Sequence, residues 1–552
     1  QDEVSVSEGA LTIELTDNAD HDLTIIREGN FLRVSDSPNP LVAGARTIQD
    51  EDDILVDISR LTATANITFN GGDGDDSLTV DFTGGDFNFA AGITFNGGDS
   101  SGANGDLLTI IGDFANQTFN YTTTDSQGKN GDVELDGFMV SYTGLEPINA
   151  GNSVDTILNL PTAFANTATV QNDLTPGSIR IVDNGATFEN TTIPNPSNTL
   201  TINLGNQGDT LALESLDPAS TASIFINGGI SADSITVDVP TSPGTITVAG
   251  GNPIANDTLI INTDTNARVT QGADSTTGLI DQLGIGAEKV NYSDVEAIQI
   301  ESANAGSTLT VLGTNASDTI AVAPTGAATN VWVNDGPTIT ANLTNPNLTN
   351  LVIEARAGND IFSITPLTEV GVTIDGGAQT TNDRVTVLGT TASDLLFVLP
   401  SASDAAIVTL DGRQPLNLTS TEALSFDGME DDDEIVVLGD PNDNHFLHLP
   451  GIASDTGRIN INDETDVVTL LGIDYRNLGD GIVGIDGVGG LNSLTVIGTT
   501  STDYFEFASS NPNEAILIHR DASVTRPIIA TLAVNQYTID ATDGDDVIDI
   551  SG

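Results

Sequence analysis

Three glycines and three aspartates alternate through Gly71-Gly72-Asp73-Gly74-Asp75-Asp76, and the strand-like Ser77-Leu78-Thr79 follows at once. Glycine takes positive φ without steric cost, so such a segment turns sharply and its carbonyls converge. Short carboxylates fixed on a tight turn complete a hard oxygen cage, which suits Ca2+ better than a soft metal. Partial copies stand at Gly228–Thr236 (GGISADSIT), Ala355–Ser363 (ARAGNDIFS), Gly428–Val436 (GMEDDDEIV) and Ala541–Asp549 (ATDGDDVID). The carboxylates placed to ligate calcium are Asp73, Asp75, Asp76, Asp233, Asp360, Asp431, Asp433, Asp543, Asp545 and Asp546. An ordinary Asp/Gly turn without metal accounts for the partial copies as well.

The charge balance points the same way. The chain carries 79 acidic and 15 basic residues, a formal net charge of −64. Such a field repels nucleic acid and anionic membrane, so neither is a partner. A merely solvated acidic surface would hold abundant Glu, yet there are 59 Asp against 20 Glu, and the Asp gather in Gly- and Asn-rich turns. Cysteine is absent, so neither disulfides nor thiolate sites stabilise the chain. Hydrophobic residues at 38% allow a real core. No apolar run approaches the ~18 residues of a membrane helix.

The elements that must position these turns are strands. Ala65–Phe69, Ser234–Val239 and Arg384–Leu388 alternate apolar and polar residues between Gly, Asn and Asp, and no sustained helical periodicity occurs. Turn aspartates recur at a near-constant period: Asp209, Asp233 and Asp257 are 24 residues apart, and Asp360 and Asp383 are 23 apart. A second phrase, Val-Leu/Ile-Gly-Thr-x-x-x-Asp, appears at Val311–Ile320, Val387–Leu396 and Val496–Phe505, with a degenerate copy at Val437–Phe446. Each clean copy precedes an acidic turn by about 40 residues (Asp318 to Asp360, Asp394 to Asp433, Asp503 to Asp546), a composite repeat with insertions. The fold expected is all-β, a parallel β-solenoid with identical turns stacked at one corner; tandem β-sandwiches are the alternative. Three regions are expected: 1–145 with the clean repeat, 146–300 with middle repeats, and 301–552 with the composite repeat.

Residues Gly71–Thr79 fit G-G-x-G-x-D-x-U-x without a mismatch, and the segment resembles the calcium-binding nonapeptide of RTX proteins. That resemblance implies a parallel β-roll in which the sixth-position Asp, here Asp76, ligates calcium. The departure from the family is spacing: RTX nonapeptides run in tandem, whereas these copies stand at least 23 residues apart and most lack a leading glycine. In composition the chain also resembles bacterial S-layer and extracellular-matrix structural proteins, being acidic, rich in Thr, Asn and Gly, and free of Cys.

Other chemistry finds little footing. His445 and His448 are three apart on a strand and so face opposite sides, a poor metal pair. There is no Gly-x-Ser-x-Gly elbow and no P-loop. A polysaccharide lyase or hydrolase would need a basic patch or aromatic platforms, but there are two lysines, thinly spread arginines and a single Trp332. The expectation is a non-enzymatic, extracellular, calcium-stabilised structural protein of a surface layer, filament or matrix. Its expected partners are copies of itself, docked through an end such as Asp545–Ile550 that stands mid-phrase, or cell-surface glycans if it is an adhesin.

Overall fold

The computed structural model describes residues 2–550 apart from 17–18, 38, 100–104, 126–127, 240–243, 253–255, 284–288, 327, 343–347, 380–381, 463–467 and 522–523. Among the described residues the regular structure is strand, with one 3-10 turn at Ile58–Arg60 and no α-helix. No helix among them is long and apolar enough to cross a membrane. The chain forms two compact units: Gln1–Asp264 with Leu279–Ile298, and Thr265–Gly278 with Gln299–Gly552.

In each unit the chain winds through two facing parallel sheets. The first unit shows the principle in Ile67–Asp73, which pairs in parallel register with Ile93–Asp99, so that Ile67, Phe69, Asn70 and Gly72 lie beside Ile93, Phe95, Asn96 and Gly98. On the facing sheet Leu78 and Val80 lie beside Leu108 and Ile110. Like residues stack on like because successive coils repeat one pattern. Apolar positions point inward at every second residue, with Ile67, Phe69 and Gly71 buried and Thr68 and Asn70 between them only half-buried. Phe69, Phe95 and Phe119 are fully buried in the first unit and Phe362, Phe426, Phe446 and Phe505 in the second. Each such ring removed from water contributes roughly 1.5–3 kcal/mol. No coil buries its own inner face, so the core exists only as a stack.

The outward residues of the stack also repeat. Asn203 Nδ2 donates to Asn159 Oδ1 at 2.6 Å, and Asn227 Nδ2 donates to Asn203 Oδ1 at 2.7 Å. This amide ladder runs along the sheet immediately before the corner. Parallel in-register pairing of this kind (Leu200↔Ile224, Ile224↔Ile246, Leu211↔Ile235, Ile235↔Leu259) selects the solenoid over tandem sandwiches.

The two repeat lengths have separate causes. Short coils of 23 or 24 residues hold one strand in each sheet and two corners. Coils of about 40 residues carry in addition an antiparallel excursion. Thr319–Thr325 turns back through Ala328–Val333 and returns along Thr338–Asn342. Leu395–Ala402 and Asp503–Asn511 open the same kind of meander. All three begin just after a Val-Leu/Ile-Gly-Thr phrase, so the insertions of the composite repeat are these meanders.

Candidate functional site

The corner between sheets is where the sequence places its acidic chemistry. A strand ends in a small residue, usually Gly, and five residues on an Asp opens the next strand: Gly71 to Asp76, Gly228 to Asp233, Gly313 to Asp318, Gly389 to Asp394, Gly428 to Asp433, Gly498 to Asp503. The calcium-type phrase and the Gly-Thr phrase are therefore the same corner, which the sequence reading held apart as two families.

Along each row the Asp side chain folds inward and accepts the backbone N–H of its counterpart one coil earlier, except at Asp318, Asp394 and Asp503, whose carboxylates accept from the Thr of their own corner. In the first unit His21 and Asp76 donate to Oδ1 of Asp76 and Asp106 at 3.0 and 2.7 Å. Further along, Asn166, Asp209 and Asp233 donate to Oδ1 of Asp209, Asp233 and Asp257 at 2.6, 2.7 and 2.8 Å, and Asp257 donates to Glu296 Oε2 at 2.8 Å. The second unit repeats this with Asp318, Asp360 and Asp383 donating to Asp360, Asp383 and Glu422. There a second row occupies the opposite corner, where Asp394 donates to Asp433 and Asp503 to Asp546, each at 2.8 Å. At the first corner of this unit asparagine takes the place of aspartate at Asn444 and Asn492, which donate to Asn492 and Asn535 at 2.9 Å.

The second carboxylate oxygen distinguishes two versions of the corner. After Gly-Thr it accepts the Thr N–H: Thr314 to Asp318, Thr390 to Asp394 and Thr499 to Asp503, at 2.7, 2.5 and 2.7 Å. At Asp76, Asp106, Asp209, Asp233, Asp257, Asp360, Asp383 and Asp433 the buried Oδ2 has no hydrogen-bond partner within the protein. In both versions Oδ2 lies close to the corner glycine where one is present: a Cβ on Gly71 would stand 2.5 Å from Asp76 Oδ2 and 2.5 Å from the carbonyl oxygen of Gly97, and one on Gly313 would stand 2.5 Å from Asp318 Oδ2. Glycine is thus required at the corner by close approach, and at Gly72, one residue on, by a φ of +98°.

Removing these carboxylates from water raises their proton affinity. Burial pushes Asp106 and Asp233 up to about 7 against the pull of the N–H each accepts, with neighbouring ladder carboxylates adding to the rise. Asp76, Asp360 and Asp433 are pushed up to about 6 for the same reason. Burial also raises Asp209, Asp257 and Asp383.

A second row lies outside the first. The residue before the ladder position accepts from the following coil, in the reverse direction: Asp75 N–H donates to Asp20 Oδ1 at 3.0 Å, Asp480 to Asp432 at 2.8 Å and Leu491 to Asp443 at 2.6 Å. Of the carboxylates expected to ligate calcium, Asp76, Asp233, Asp360 and Asp433 are inner-row and buried. Asp546 accepts at the end of a row, half-buried, and Asp75 is half-buried in the outer row. Asp73, Asp431, Asp543 and Asp545 are exposed on the outside of their turns. Among the described residues no three His, Cys, Asp or Glu side chains converge on one point. The sequence reading missed His21, Asn166, Asn444, Asn492, Glu296 and Glu422 as ladder members. Position five residues after the corner glycine would have found Asn444 and Asn492, whereas Glu296 and Glu422 follow corners without that glycine.

The histidines hold separate places. His448 is buried and hydrogen-bonded through Nε2 to Tyr475 Oη at 2.8 Å, and burial pushes it down to about 3. His445 meets Thr495 Oγ1 at 2.9 Å on the other side of the strand.

A pocket of about 520 Å³ opens elsewhere in the first unit, lined by Phe82, Phe87, Phe114 and Phe138 with Asp86, Asp113 and Asp136 at its edge. The rings meet edge to face, Phe82 with Phe87 at 5.0 Å and with Phe114 at 5.2 Å. With aromatics at 5% of the chain, this cluster did not stand out in the sequence.

No protein-family model matches the chain. No curated protein matches it either.

Proposed function

We propose that the chain is a calcium-stabilised structural protein of the cell exterior, a non-catalytic unit of a surface layer, filament or matrix that associates with copies of itself. The observation that carries this reading is the pair of carboxylate rows at the corners of both units, the inner row hydrogen-bonded and the outer row facing solvent. A net charge of −64, part of it held in rows at fixed corners, opposes the stack unless cations neutralise it. Exterior calcium does this where carboxylates, backbone carbonyls and water together reach six to eight oxygens. Asp73, Asp431, Asp543 and Asp545 are the carboxylates exposed on the solvent side, with Asp75 half-buried beside them, and the bare Oδ2 atoms of Asp76, Asp233, Asp360 and Asp433 are the nearest inner acceptors. Resemblance of Gly71–Thr79 to the RTX nonapeptide supports the same ion.

Thermal unfolding in EDTA and in millimolar calcium tests the ion: a melting temperature that falls in chelator and returns with calcium is expected, and an unchanged one defeats the claim. Electron microscopy at high protein concentration with calcium tests assembly, and strictly monomeric particles count against it.

The phenylalanine pocket favours a second reading, an adhesin. Apolar rings bordered by carboxylates suit the C–H faces and hydroxyls of a sugar. Binding of monomers on a glycan array, lost in Phe138→Ala, would support it.

A further inference from the structure

Only two lysines occur in 552 residues, and one of them is set between two buried carboxylates. Lys129 opens the strand Gly128–Leu135 of one meander. Asp183 closes Ser178–Asp183 in the next meander, and Glu189 stands just before its return strand Thr191–Pro194. Lys129 Nζ lies 3.7 Å from Asp183 Oδ2 and 3.9 Å from Glu189 Oε2. Both carboxylate side chains are buried, at 0% and 1% exposure, and the lysine is 19% exposed. These separations exceed the ~2.7–3.2 Å of a hydrogen bond, so the amine adjoins both groups without being held by either.

We propose that Lys129 and Asp183 join in an intramolecular isopeptide bond, with Glu189 as the proton-transfer group. The Nζ lone pair attacks Asp183 Cγ, a C–N bond forms, a C–O bond breaks, and one water leaves. An ammonium and a carboxylate thus become a neutral amide and water, with no oxidant or co-reactant.

The surroundings favour each part. Asp183 accepts backbone N–H groups from Gly185 on Oδ1 at 2.8 Å and from Phe188 on Oδ2 at 2.9 Å. These donors polarise the carboxyl group and stabilise the charge that develops on its oxygens during attack. Glu189 Oε1 accepts the Asn190 N–H at 2.8 Å, while Oε2 has no hydrogen-bond partner and faces the lysine. Burial pushes Glu189 up to about 8, so it holds a proton that it passes to an Asp183 oxygen, and, once emptied, it takes the ammonium proton whose removal frees the Nζ lone pair. Phe188 packs its ring on Tyr121 at 5.1 Å and helps close the site to water. A dry site also disfavours the separated charges of an ion pair, and the amide removes both. The bond would fasten one excursion of the coil to the next in a chain that has no cysteine for the purpose.

The test is intact mass spectrometry of the full chain, folded at neutral pH and then denatured, followed by peptide mapping. The expected result is a mass one water below that of the sequence, with a branched peptide joining Lys129 to Asp183. Lys129→Arg and Glu189→Gln, each shown to be folded by circular dichroism, should regain the full mass and lose the branched peptide. A succinimide at an Asp-Gly step also loses water, but it gives no branched peptide and persists in Lys129→Arg. Full mass in the folded wild-type chain, or a water loss mapped to a succinimide, overturns the proposal and leaves Lys129 in a buried ion pair.

Discussion

Asp209 donates its backbone N–H to the carboxylate of Asp233, one coil of 24 residues further on, at 2.7 Å. Asp233 repeats the act toward Asp257. Each ladder side chain therefore closes a backbone bond that the corner would leave open, because the sheet's own pairing begins one residue later, with the Thr210 N–H on the Asn166 carbonyl and the Ser234 N–H on the Asp209 carbonyl. Stacked in this way, one acidic residue per coil is a backbone device before it is anything else.

Asp233→Ala removes the acceptor of the Asp209 N–H, and a buried donor left unpaired costs about 1–3 kcal/mol. Asp233→Asn should behave differently. At the equivalent place Asn492 accepts from Asn444 and donates its amide to the carbonyls of Gly487, Gly489 and Ala533 at 3.0, 2.6 and 3.0 Å. An amide thus fits where Asp233 Oδ2 has no partner. Denaturant melts at neutral pH should show the alanine variant destabilised and the asparagine variant equal to or above wild type; equal loss in both would refute the ladder role.

Gly71→Ala places a methyl 2.5 Å from both Asp76 Oδ2 and the Gly97 carbonyl oxygen. Crowding of this kind costs on the order of 1–3 kcal/mol. The double variant Gly71→Ala/Asp76→Ala should recover only part of that loss, since the carbonyl of the next coil stays where it is. Full recovery would show that the carboxylate alone demands the glycine.

Much of this was legible in the sequence. Alternation in stretches such as Ser234–Val239 and the 24-residue period of Asp209, Asp233 and Asp257 lead directly to a parallel stacked β fold. The meanders were visible only as extra length, because an antiparallel excursion and a longer loop both lengthen a coil. The direction of the aspartates was hidden for a different reason. A carboxylate on a turn can point out to a cation or in to a backbone N–H, and only the stacking of Asp76 on the neighbouring coil, where it accepts the His21 N–H, decides it. Glu296 and Glu422 were out of reach because they serve the ladder from corners without the usual glycine, where the longer side chain spans the gap.

The outer row yields a separate expectation. If calcium is held by carboxylates that face solvent, Asp73→Asn/Asp75→Asn should weaken calcium binding measured by isothermal titration and shrink the calcium-dependent rise in melting temperature. The Asp76 ladder bond to the His21 N–H would stay intact. Unchanged calcium affinity would place the ions elsewhere.

Acidity should stabilise this acidic protein in the absence of calcium. Ladder carboxyls raised to about 6 (Asp76, Asp360, Asp433) or about 7 (Asp106, Asp233) bind protons more tightly folded than unfolded. Stability from such groups is fully present below the unfolded value near 3.8 and is lost as pH rises through 6 and 7. The buried histidines act in the opposite sense. His448 is lowered from 6.5 to about 3, and His519, bonded to Asp503 at 2.7 Å, is also lowered, so their contribution fades as pH falls below 6.5. The raised ladder aspartates outnumber these two histidines, so the melting temperature in EDTA should climb between about pH 8 and pH 5. Asp233→Asn, which has no proton to lose at that corner, should flatten the slope. A melting temperature that falls steadily on acidification over this range would mean that the ladder carboxylates are ionised in the folded protein, each bare Oδ2 carrying its charge on a cation.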